Sequence, residues 1–287
     1  MNRLTENPPW VDDLLTENWS ELSHVVEADL LPYATIARPA GATTRRRAAR
    51  VTVTPSAELG CGHFGCVMAT RTAGIVCKIT SDVSEVDFVE TAWKKFGRDY
   101  PGWPEGVVRY YKVVGLTASH GDAPTFLLWR DEAWGVDRSV DLLPRTALEA
   151  LKRLKFFAMN VLHHVDEAPE DLPAARRARR APSTSALADR ATHEAVGFAR
   201  LGLKGPERLA VSLKAYEMTI DQLGTLPAIQ DALARLLDAG MVLADVRPAN
   251  IGRSAANSWV ITDPGMFVSL EGRRVARGTG RDPRGSR

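Results

Sequence analysis

The chain has 287 residues, 45% hydrophobic and 25% charged, with 37 Lys and Arg against 35 Asp and Glu. That size and apolar fraction suit one large or two small lobes with a proper core, and a net charge of +2 supplies no global field of the kind that draws a protein to nucleic acid or an anionic membrane. No apolar run is long enough to span a bilayer and the first residues do not read as a secretory leader, so a cytoplasmic protein is expected. The three cysteines, Cys61, Cys66 and Cys77, match no zinc spacing with the six histidines; they read as small apolar fillers rather than a disulfide framework.

Residues 1–50 read as a preface, an N-terminal helical extension and basic linker. Helical periodicity is weak over 10–15 and 21–31, and the run Arg45-Arg46-Arg47 with Arg50 reads as solvated. Residues 51–59 predict a first strand, which Pro55 restricts to an edge or a bulge. The glycine-rich stretch Gly60-Cys61-Gly62-His63-Phe64-Gly65-Cys66-Val67 follows. Its G-x-G-x-x-G spacing lets backbone N–H groups approach phosphates, because glycine has no Cβ in the way. It leads into two short β-type runs, 66–70 and 75–80, separated by a turn at 72–74, with no helix between them. The second run carries Lys78 among Val76, Cys77 and Ile79.

Asp82-x-x-Glu85 predicts a capping box opening a helix whose apolar stripe is Val86, Val89, Trp93 and Phe96. Glu85 and Glu90 flank that stripe on opposite sides. Residues 107–116 and 125–129 predict strands joined by a turn at 119–122, completing a five-stranded lobe. Leu148, Leu151, Leu154, Ala158, Val161, Leu162 and Val165 predict a helix over 144–166. The Ala-, Arg-, Pro- and Ser-rich segment 171–185, containing Arg176-Arg177-Ala178-Arg179-Arg180, reads as a mobile solvated loop. Helices are expected over 192–201, 206–217 and 227–239, the last stopped by Gly240. The Gly- and Arg-rich tail from 272 reads as frayed.

A glycine loop joining two strands, with a lysine on the second, resembles a protein kinase N-lobe. Gly240-Met241-Val242-Leu243-Ala244-Asp245-Val246-Arg247-Pro248-Ala249-Asn250 resembles the kinase catalytic loop, with its Asp-x-x-x-x-Asn spacing. Trp259-Val260-Ile261-Thr262-Asp263-Pro264-Gly265 resembles the strand and Asp-Phe-Gly motif. The resemblance implies an α+β, two-lobed protein kinase-like fold: a five-stranded antiparallel N-lobe over 51–134 and a mainly helical C-lobe over 135–272, then a flexible basic tail over 273–287. It also implies ATP and Mg2+ as cofactors. Gly60, Gly62, Gly65 and Val67 would cover the nucleotide, and Lys78 would contact its phosphates while held by Glu85 or Glu90. Asn250 and Asp263 would hold the metal, Asp245 would accept the acceptor hydroxyl's proton, and Arg247 would place positive charge near the transferred phosphate. Residues 129–134 fall where the family's hinge offers backbone groups to adenine. Lys78, Asp245, Asn250 and Asp263 are expected to converge beneath the glycine flap.

The pattern departs from the family at several points. Leu243-Ala244 stand where His-Arg usually precede the catalytic aspartate, so control by a phosphorylated activation segment is not expected. Pro264 replaces the phenylalanine of the Asp-Phe-Gly motif. A long helical segment precedes the catalytic loop and few residues follow Asp263. The inserted helices are expected to replace the missing C-terminal bulk, with helix 144–166 beside helix 227–239. The leading expectation is a Ser/Thr protein kinase-like phosphotransferase. The alternatives are a small-molecule kinase of aminoglycoside or choline type, a non-catalytic nucleotide-binding regulator, and a plain interaction module with basic loops.

Overall fold

The structure, a computed structural model, describes residues 34–37, 50–53, 58–61, 65–69, 74–80, 82–97, 102–116, 125–135, 139–193, 198 and 200–271. The weakly helical stretches 10–15 and 21–31, Arg45 to Arg47, Gly62, the turn at 119–122 and the tail from 272 lie outside the described residues. The chain is mixed α and β and divides into two compact units. One comprises residues 1–86, 110–132 and 277–287; the other comprises 87–109 and 133–276.

In the first unit, β1 (Ala34–Ala37) and β2 (Arg50–Val53) form an antiparallel ribbon of their own. The segment 51–59 is therefore not one strand, and part of the preface is extended rather than helical. Pro55, which lacks the N–H a ladder needs, lies between β2 and β3 (Glu58–Cys61). β3 opens the expected five-stranded antiparallel sheet with β4 (Gly65–Ala69), β5 (Ile75–Thr80), β6 (Tyr110–Leu116) and β7 (Thr125–Asp131), in the order β3-β4-β5-β7-β6. The centre of this sheet is buried on both faces, so β5 reads as a continuous apolar run interrupted by Lys78. The cysteines need a correction: Cys66 is disulfide-bonded, whereas the buried Cys77 is outside any disulfide. The β3–β4 register sets Cys61 directly opposite Cys66.

Helix α1 (Val83–Phe96) begins in the first unit and gives its remaining turns to the second, where Phe88 meets Trp103 and Phe267 edge-on. After the short α2 (Ser139–Leu142) comes α3 (Arg145–Glu167), whose buried stripe runs from Ala147 to Val165. The expected loop over 171–185 is instead helical: α4 (Leu172–Ala178) and α5 (Pro182–His193). Alanine and arginine are strong helix formers, and proline fits the first turn of each. The arginine run is anchored, with Arg176 donating to the Leu270 carbonyl at 3.0 Å.

Helix α6 (Gly205–Ile220) is the centre of the second unit, buried on most sides and packed by α3, α4, α5 and α7 (Pro227–Asp238). The expected neighbourhood of the two long helices is thus indirect: α3 and α7 each pack on α6 and on the 3-10 turn Asp221–Leu223. Beyond α7, β8 (Met241–Leu243) pairs with β11 (Phe267–Ser269), and β9 (Ile251–Arg253) pairs with β10 (Trp259–Ile261).

Candidate active site

The first unit builds one group of candidate residues on the sheet. Lys78 sits in mid-strand, opposite Val67 on β4 and Leu128 on β7, and is 6% exposed. Its Nζ donates to Oε2 of the fully buried Glu85 at 2.6 Å, and the Tyr110 hydroxyl donates to Oε1 at 2.7 Å. Both oxygens of that carboxylate are therefore fixed, as a charge pair in a dry environment requires. Glu90 is exposed and takes no part in this pair, which removes it as the partner of Lys78.

The helix start explains the choice. In a capping box Glu85 would turn back to the Asp82 N–H. Here Thr80 Oγ1 accepts that N–H at 3.0 Å, while Asp82 Oδ1 accepts the Ser84 N–H at 2.9 Å. Asp82 caps the helix, and Glu85 is released to face the sheet. Tyr110, the third member, carried no motif that sequence reading could have found.

Gly65 pairs with Thr80 where the glycine stretch meets β5. A Cβ there would come 2.2 Å from the Ile79 carbonyl oxygen, so only glycine fits. Gly60 lies opposite Val67, which is half-buried.

The second unit builds the other group. Ala244 N–H donates to the Met266 carbonyl at 2.8 Å and ties the end of β8 to the turn after Asp263. The Tyr216 hydroxyl reaches the Leu243 carbonyl at 3.4 Å, and complete burial pushes that phenol far above its usual range. Asp245 follows directly. Its Oδ1 accepts from Lys155 Nζ at 2.9 Å, and its Oδ2 accepts from Arg247 Nε at 3.1 Å and Asn250 Nδ2 at 3.1 Å. Asn250 Nδ2 also donates to the Asp245 backbone carbonyl at 2.9 Å. The Asn250 carbonyl accepts the Thr262 N–H at 2.8 Å, which extends the β9–β10 ribbon and sets Asp263 one residue beyond.

This unit therefore brings Asp245, Arg247 and Asn250 into one hydrogen-bonded loop cluster, with Asp263 next in the chain to Thr262, whose N–H meets the Asn250 carbonyl. It adds Lys155, which sequence reading missed because it stands 90 residues away on the polar side of α3.

The donor atoms suit a hard divalent cation. Asp263 supplies a carboxylate, and with Nδ2 of Asn250 committed to Asp245, the amide oxygen is the atom left for a metal. Asp245 is a carboxylate whose two oxygens are both oriented, by Lys155 on one side and by Arg247 and Asn250 on the other. No protein-family model matches the chain, and no curated protein matches it.

Proposed function

We propose that the protein is a nucleoside-triphosphate- and magnesium-dependent phosphotransferase that moves a γ-phosphoryl group to a hydroxyl, on a two-lobed kinase-like fold. The observation that carries the reading is the buried Lys78–Glu85 pair, braced by Tyr110 beside a glycine-dependent strand junction. Burying an ion pair is a poor way to gain stability. It is a good way to hold an ammonium in one position for phosphate, and phosphoryl transfer asks mainly for positioning and charge neutralisation. In this reading Asn250 and Asp263 hold magnesium, which neutralises the phosphates and orients them, while Asp245 takes the proton of the acceptor hydroxyl. ATP is the expected donor and a Ser/Thr side chain of a protein the expected acceptor.

One observation favours a second acceptor class, a small hydroxylated molecule. Lys155 reaches Asp245 from α3, within the segment that lengthens the chain before the catalytic loop, so that segment touches the proton-accepting group. Incubation with γ-labelled triphosphate against protein and metabolite mixtures separates the two. Binding without transfer, unchanged in Asp245→Asn, would leave a non-catalytic regulator. The absence of any binding would leave an interaction module.

A further inference from the structure

The reading above leaves Arg130 without a task. It is 7% exposed, and its Nε and Nη1 are buried with no hydrogen-bond partner among the described residues. Native proteins seldom leave buried donors of a permanent cation unmatched. Arg153 and Arg208 also leave Nε unmatched, but each places another nitrogen on an amide oxygen, of Gln222 and Asn160.

The register gives Arg130 an address. It stands on β7 directly opposite Val76 of β5 and opposite Tyr110 of β6. Lys78 is two residues from Val76, hence on the same face of the sheet as Arg130 and its diagonal neighbour, a relation in which residues lie about 7–8 Å apart and their Cβ atoms somewhat closer. The glycine end of β4 lies the other way, at Gly65 opposite Thr80. A nucleotide whose phosphates lie at Lys78 and the glycine stretch therefore runs its base toward Val76 and Arg130. Val67 and Ala69, half-buried on that same face opposite Lys78 and Val76, supply apolar atoms for the plane of the base.

We propose that the guanidinium of Arg130 selects the base, and that the donor is a 6-oxopurine nucleotide, guanine or hypoxanthine, rather than adenine. This rests on the phosphotransferase reading and changes its expected donor. A guanidinium offers donors only. Guanine and hypoxanthine present O6 and N7, two acceptors that arginine matches in bidentate fashion. Adenine presents its N6 amino donor at the same edge and sets donor against donor.

The test is thermal stabilisation of the full chain by GTP, ITP and ATP, each titrated with magnesium. GTP and ITP should reach half-maximal stabilisation at a concentration at least tenfold below ATP, and Arg130→Met should lose that ranking. If Arg130→Met does not fold, the wild-type ranking decides, because ITP shares O6 and N7 with GTP but lacks the 2-amino group. ATP acting at an equal or lower concentration overturns the inference and leaves the phosphotransferase reading standing. GTP without ITP overturns the assignment of O6 and N7 to Arg130. No stabilisation by any triphosphate overturns the phosphotransferase reading itself, and this inference with it.

Discussion

Replacing Glu85 by leucine leaves the Lys78 ammonium, 6% exposed, without the carboxylate oxygen that lies 2.6 Å from it. Breaking a buried pair from one side costs about 3–5 kcal/mol, because the surviving charge keeps its desolvation penalty and loses its compensation. Tyr110→Phe removes one hydrogen bond to the same carboxylate and should cost about 1.5–3 kcal/mol. The double variant Lys78→Met, Glu85→Leu removes both charges and should recover most of the loss, so the coupling energy should approach the summed cost of Lys78→Met and Glu85→Leu. Urea unfolding of the wild type, both singles and the double measures it. Nucleotide stabilisation should be absent from the double variant although its stability has returned. Small, additive single effects would refute the claim that a dry ion pair is kept there for a purpose other than stability.

Four further outcomes follow from the same geometry. Gly65→Ala should cost about 1–3 kcal/mol and weaken triphosphate binding, since the new methyl group meets the Ile79 carbonyl oxygen; urea unfolding and nucleotide titration check both. Lys155→Met should change stability by less than about 1 kcal/mol, as expected for a pair that is 43% exposed on the lysine side, yet slow phosphoryl transfer about tenfold, read from initial rates with labelled triphosphate. Burial, reinforced by Arg208, holds His164 below its usual range, so the unfolded chain binds the proton more readily. The associated stability is complete above about pH 6.5 and falls as pH drops toward the folded value; His164→Gln should flatten that acid-side slope in denaturation curves. Reducing the Cys66 disulfide should lower stability by about 2 kcal/mol, the low end for a bridge, seen as a lower melting temperature with reductant in wild type and no change in Cys66→Ser.

What could be read in advance was whatever depends on near neighbours in the chain. The 3.6-residue stripe of α3, the proline start of α7 and its glycine stop, and the glycine–strand–turn–strand run through Lys78 are local patterns, and the structure keeps each nearly in place. Glu85 and Glu90 could not be separated because both flank the same stripe. The decision came from Thr80, which takes over one half of the capping box. Tyr110, Lys155 and Arg130 owe their positions to strand register and helix packing across long separations, which no spacing encodes. The helices at 172–193 were missed because composition stood in for pattern. Arginine looked solvated, while buried Leu172, Ala175, Ala188 and Ala191 set small apolar groups against α6.

The central claim is phosphoryl transfer, and it is tested most directly by incubating the protein with γ-labelled GTP or ATP and magnesium and following where the label goes. The account predicts label on a hydroxyl acceptor with wild type and none with Asp245→Asn, while Asp263→Ala also loses triphosphate stabilisation. Equal labelling by wild type and Asp245→Asn, or a melting temperature indifferent to every triphosphate, would contradict it.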